Sequence, residues 1–176
     1  MATHVPARPR TTATRVSFLL GAAFAIAGGA LVLAIRPHEA AGSAGVSAVL
    51  LLIGGHRANH GAGVRLDRML DELLDRLWDG VLLAPIAWAA RDAAPHIAAG
   101  ALVALCASFV SSYVRARGAA LRYTIEESHV TRGIRYALIV AGLAFGWLGW
   151  SVWVAAGVSL AAALVRTSQV AKEERA

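Results

Sequence analysis

The chain has 176 residues, enough for one domain, with 57% hydrophobic and only 16% charged residues, where a soluble domain carries about 25% charged. A net charge of +6 could suit nucleic acid, but the basic residues sit in short clusters between apolar runs. That is the charge pattern of a membrane protein's inner loops, and it argues against a nucleic-acid binder and against a water-facing enzyme domain.

Met1 to Arg15 reads as a basic arm containing Pro and Thr. The apolar run Val16 to Ile35 has full membrane thickness rather than the shorter core of a signal peptide. Further apolar runs follow, so it is expected to stay as a first span, ended at Arg36-Pro37 by the proline. Ala40 to Gly55 is a second, short, Ala/Gly/Ser-rich span, followed by the polar stretch His56-Arg57-Ala58-Asn59-His60 and the glycines Gly61 and Gly63. His56 and His60 have a spacing that could suit a metal, but two histidines in a basic interfacial loop are expected to be solvated. A third helix is expected from about Leu66 to Ala90, polar on one face in its first half and apolar from Val81 onward.

After a turn at Arg91 to Pro95, a fourth span runs from Ile97 to Val114 and carries the single cysteine, Cys106. With no second cysteine, an intramolecular disulfide is excluded and the thiol is expected to serve packing. The basic segment Arg115 to Arg135 leads into Tyr136 to Val165, 30 residues without a charge, roughly 45 Å as one helix. A bilayer core is about 30 Å thick, so a break is predicted at Gly146-Trp147-Leu148-Gly149-Trp150, with tryptophans at the interface. Snorkelling of Arg132 and Arg135 lets the fifth helix start earlier. The expected fold is all-α, a polytopic membrane protein with a six-helix transmembrane bundle over residues 16–168, between an N-terminal arm and a tail over 169–176. With six spans, 14 of the basic residues fall on one side and only Arg36 and Arg91 on the other, which places both termini in the cytoplasm of a cell-membrane protein.

The third helix contains Asp67, Asp71, Asp75 and Asp79, four aspartates at intervals of four. They share one face, each about 6 Å above the last. An ionised Asp at the centre of a span costs roughly 2.5–3.5 kcal/mol on insertion scales, so the row must meet water, a metal or cations. The plain structural alternative is an interfacial helix whose carboxylates pair with Arg68, Arg76 and neighbouring loops, favoured by the helix macrodipole.

Asp71-x-x-x-Asp75-Arg76-x-x-Asp79-Gly80, opening a helix after a short span, resembles the second half of the signature of CDP-alcohol phosphatidyltransferases: D-x-x-D-G-x-x-A-R, eight or nine residues, then G-x-x-x-D-x-x-x-D. Downstream, Ser112-Tyr113-Val114-Arg115-Ala116-Arg117, with Arg132 and Arg135, is similar to segments of the actinobacterial phosphatidylinositol phosphate synthases. The resemblance implies six spans, a homodimer, and transfer of a phosphatidyl group from CDP-diacylglycerol to an alcohol with release of CMP. It implies magnesium on the motif carboxylates, here Asp71 and Asp75, with Asp75 also the base, and hard oxygen ligands suit that ion. It also implies nucleotide contact by Arg57 and a grip on the acceptor's phosphate by Ser112, Arg115, Arg117, Arg132 and Arg135, a task suited to guanidinium forks.

The first half of the signature is missing. Counting back from Arg57 puts its two aspartates on Val49 and Leu52, its glycine on Ile53 and its alanine on His56, while the later glycine is Asp67. The expected function is therefore a phosphatidyltransferase-like membrane protein of phospholipid biosynthesis with impaired catalysis, contacting membrane lipid or CDP-diacylglycerol. The alternatives are an active synthase with a metal site rebuilt from Asp67, Asp71 and Asp75, and an unrelated transporter or channel with Asp71 and Asp75 as the ion-carrying pair. Val49 and Leu52 are expected to face Asp71 and Asp75 across adjacent helices.

Overall fold

A computed structural model describes residues 9–60, 65–123 and 129–173. The first eight residues, Gly61 and Gly63 in the polar loop, part of the basic segment before the fifth helix, and the last three residues of the tail lie outside the described residues. The described residues form six helices: α1 Pro9–Leu33, α2 Pro37–His60, α3 Arg65–Ala90, α4 Pro95–Ala120, α5 His129–Phe145 and α6 Leu148–Glu173. Three of them begin on proline, which sets the helical φ and lacks an N–H that the first turn leaves unbonded anyway.

The helix ends share a device. At Ile35, Arg122 and Gly146 the backbone turns left-handed, with φ of 58°, 70° and 72°. Beyond each of them an N–H reaches five residues back, from Arg36 to Leu31, from Tyr123 to Gly118 and from Trp147 to Gly142. This closes the exposed carbonyls of the last turn. The break predicted in the last apolar stretch is therefore real and centres on Gly146, where a left-handed conformation favours glycine.

Around the bundle, α1 packs on α2 and α3, α2 on α3 and α5, α5 on α6, α6 on α4, and α4 on α3. Small side chains let the backbones approach, as in membrane helix pairs. Ala40, Ala44 and Ala48 of α2 are buried with Ala25 of α1, and the hydroxyl of Ser47 donates to the Gly21 carbonyl at 2.6 Å. Between α4 and α6 the same part is played by Gly100, Ala101, Ala104, Ala155 and Ala156. Pro85, inside α3, has no N–H for the carbonyl of Val81, and Gly29 of α1 lies against that carbonyl so closely that a Cβ there would strike it.

Four helices, α1, α2, α4 and α6, are long and apolar enough to cross a bilayer. Helix α3 is built inside out. Leu66, Met69, Leu73, Leu77 and Trp88 are exposed on its outer surface, while the four aspartates are buried. A helix of a water-soluble protein buries its apolar stripe; here the charged stripe is inside. Cys106 lies on the exposed surface of α4, where it shares the outward apolar face with Leu102, Val103, Phe109 and Val110.

Candidate functional site

The aspartate row is the centre of the interior, and what it meets is guanidinium. Asp67, Asp71, Asp75 and Asp79 are all buried, Asp79 completely (0% exposed). Arg132 of α5 donates from Nη1 to Asp71 at 2.6 Å, and its Nε lies 3.3 Å from Asp75. Arg135, one turn further along α5, donates to Asp75 at 2.9 Å and to Asp79 at 2.8 Å. Arg76 of α3 itself bonds Asp75, lies 3.3 Å from Asp79, and donates to the Ser108 carbonyl at 2.6 Å. At the helix start, Arg15 of α1 donates to Asp67 at 3.2 Å. Four carboxylates thus face four guanidiniums.

The register follows from helix geometry. Helices α3 and α5 run the same way, so a rise of about 4.5 Å between Arg132 and Arg135 tracks the roughly 6 Å between successive aspartates. Each arginine can then bridge two neighbours, which its planar fork favours. Tyr136, next in α5, donates its hydroxyl to Asp75 at 2.9 Å and sets its ring against the buried Trp78 of α3, centroids 4.0 Å apart. Asp75, the residue implied as base, is the most heavily bonded of the row. Pairing was foreseen through Arg76 and Arg68; Arg76 takes part, but Arg68 is exposed, and the other cations come from α1 and α5.

The α2 side differs from the frame counted from Arg57. Val49 is 56% exposed and Ile53 is also exposed, so Val49 does not face Asp71 or Asp75 as expected; it points out of the bundle. Leu52 is half-buried and packs against the core. The residues of α2 that meet Asp71 are Gly55, where a Cβ would strike the carboxylate, and Asn59, which donates to it at 3.3 Å. Counting through the loop rotated the helix wrongly, because the signature residues that would have anchored the count are absent.

The remaining candidates lie towards the ends of α2 and α4. Arg57 is exposed at the end of α2, Arg117 is exposed near the end of α4, and Ser112 is half-buried. Arg115 lies 3.3 Å from Glu72. Unforeseen by the sequence, Arg166 of α6 donates to both the carbonyl and the hydroxyl of Ser111, at 3.0 and 2.5 Å. His56 is exposed, and the side chain of His60 lies outside the described residues.

Magnesium takes near-octahedral oxygen ligands at about 2.0–2.1 Å and gives up its waters reluctantly. The donor set does not fit it. Among the described residues no group of three His, Cys, Asp or Glu side chains is placed to hold a metal. Asp71 and Asp75 already accept bonds from cations, and α2 carries no carboxylate at any position from Ala40 to His60, whatever frame is chosen.

Curated proteins of one kind match the chain. A phosphatidylinositol phosphate synthase of Corynebacterium glutamicum is 39% identical over 103 residues, 57% of this chain and 46% of that protein. One from Mycolicibacterium smegmatis is 31% identical over 126 residues, 68% of this chain and 57% of that protein. This chain is a relative of the CDP-alcohol phosphatidyltransferases. The match spans about half the length of these curated relatives, and no family model matches the chain. The fold of the phosphatidyltransferase relatives extends over nearly all of it. A phosphatidylinositol phosphate synthase of Mycobacterium tuberculosis with CDP-DAG bound superposes with a TM-score of 0.76 at 22% identity, covering 93% of this chain and 94% of that one. The same enzyme in complex with manganese and citrate gives 0.75 at 22% identity, over 92% of this chain and 88% of that one.

Proposed function

We propose that this chain is a six-span membrane protein of phospholipid biosynthesis that keeps the phosphatidyltransferase fold but does not carry out metal-dependent phosphatidyl transfer. One observation carries the reading: every carboxylate of the row is bonded to a guanidinium, and α2 adds no carboxylate beyond Glu39 in its first turn, which pairs with Arg36. Catalysis of this class needs metal ions to offset phosphate charge and hold the reacting atoms in line. Here the compensating positive charge belongs to side chains that stay on the protein. A rebuilt site on Asp67, Asp71 and Asp75 would have to displace Arg15, Arg132, Arg135 and Arg76 from their partners.

Both termini lie in the cytoplasm and the chain pairs as a homodimer in this reading, following the loop charge and the family resemblance. Its remaining role is to hold an anionic lipid headgroup such as that of CDP-diacylglycerol at the cytoplasmic end. Arg57, Ser112, Arg115 and Arg117 are the residues for it, since Arg132 and Arg135 are engaged by the aspartates. The inside-out character of α3 supports six spans: Leu66, Met69, Leu73, Leu77 and Trp88 face outward, and the charges of its four aspartates are compensated inside.

The test is binding of CDP-diacylglycerol to the purified chain in lipid nanodiscs, with and without magnesium. Binding that is unchanged by magnesium or EDTA and weakened several-fold by Arg115→Ala with Arg117→Ala is expected. Binding that requires magnesium would contradict the reading.

A further inference from the structure

The guanidinium of Arg132 sits between Asp71 and Asp75, 2.6 Å from one and 3.3 Å from the other. These two carboxylates are the part of the acidic signature that the chain retains. The arginine is 8% exposed, so its charge has left water, and a buried cation is tolerated only with partners as close as these. It comes from α5, whereas the carboxylates belong to α3. Removing the side chain would thus leave two acidic side chains one turn apart, with a space between them and their backbones unmoved. Asn59 already offers a further polar group to Asp71 at 3.3 Å.

We infer that Arg132 is a resident cation, taking the place between Asp71 and Asp75 that a divalent ion would otherwise fill, so that the folded state needs no metal. The inference rests on the reading that metal-dependent transfer is lost, and it deepens that reading by naming the residue that makes a metal unnecessary. Two like charges held about a helical turn apart repel unless a cation lies between them. A guanidinium and a hydrated metal are alternative solutions to that repulsion, and one excludes the other. Arg135 and Arg76 keep Asp75 and Asp79 compensated when Arg132 is removed, so the uncovered charge is concentrated at Asp71.

The experiment uses the full chain in detergent, with manganese as the probe because its bound and free forms are resolved by electron paramagnetic resonance. The wild type is expected to bind manganese only weakly and to unfold at the same temperature with 1 mM manganese or EDTA. Arg132→Ala should unfold at a lower temperature in EDTA, recover much of the loss in manganese, and bind the ion at least tenfold more tightly than the wild type. Adding Asp71→Asn to Arg132→Ala should abolish both gains. If Arg132→Ala does not fold, Arg132→Gln, which can still donate to Asp71 without a charge, is measured in its place and should show the same gain. Equal manganese affinity in the wild type and in the folded neutral variant would overturn the inference, as would a gain that survives Asp71→Asn. Turnover of CDP-diacylglycerol by the wild type is a separate result, overturning the loss of transfer without altering the manganese comparison.

Discussion

Arg135 offers the sharpest test of the ionic lattice, because its two bonds are unequal in importance. Asp75 would keep Arg76, Arg132 and Tyr136 if Arg135 were removed. Asp79 would keep the 3.3 Å approach of Arg76 and a hydrogen bond from the Ser108 side chain, and its Oδ2 has no hydrogen bond even in the intact protein. Truncating one partner of a buried pair costs about 3–5 kcal/mol, because the other charge is left uncompensated. Arg135→Met should therefore destabilise the bundle by about that amount, with the loss concentrated at Asp79. Arg135→Lys keeps the charge, but a single ammonium does not reproduce the fork. One charged hydrogen bond is lost, about 1.5–3 kcal/mol. The combination Arg135→Met with Asp79→Leu removes both charges, and replacing a buried ion pair with apolar residues is often close to neutral. In unfolding scans at one fixed heating rate, about 1 kcal/mol corresponds to roughly 2–4 °C for a chain of this size. Arg135→Met should fall by at least about 6 °C, Arg135→Lys by less, and the double variant should recover most of the loss. An Arg135→Met variant within about 2 °C of the wild type, or a double variant less stable than the single, would refute the argument.

Three further outcomes follow from the backbone. Gly29→Ala drives a methyl into the Val81 carbonyl, which is rigid, and should cost about 1–3 kcal/mol as overpacking does, read from the same scans. Ile35→Gly should stabilise by about 1 kcal/mol, since a β-branched residue is held at a positive φ that glycine adopts freely. Val49→Asp should leave manganese affinity unchanged in electron paramagnetic resonance titrations. Val49 faces outward in the middle of α2, so the new charge should instead lower the yield in the membrane fraction, consistent with an insertion cost of up to roughly 2.5–3.5 kcal/mol.

The helices were legible because their signals are local. Apolar runs, the prolines at 37 and 95 and the Gly146 break mark most boundaries, and α1, α2 and α4 extend past their apolar runs only in polar turns. The shared face of the aspartates followed from their spacing alone. Their partners did not, because Arg15, Arg132 and Arg135 lie about 50 to 60 residues away in sequence from the carboxylates they bond. A signal was present in Arg132, Arg135 and Tyr136, whose spacing matches a parallel row of aspartates, but it reads equally well as an ordinary basic loop. The rotation of α2 was illegible for a different reason. It depends on packing against α1 and α3, and a count across a loop with no matching signature residues gives no rotation. The contact of Gly29 with the carbonyl opposite Pro85 is likewise tertiary, as neither residue names its partner.

The most direct measurement of the central claim is CMP release by the purified chain from CDP-diacylglycerol, with magnesium or manganese and a panel of acceptor alcohols including inositol phosphate. The account predicts no release above that of the lipid alone, in either metal. Release at rates ordinary for enzymes, on the order of 1 per second or faster, that is abolished by EDTA would contradict it.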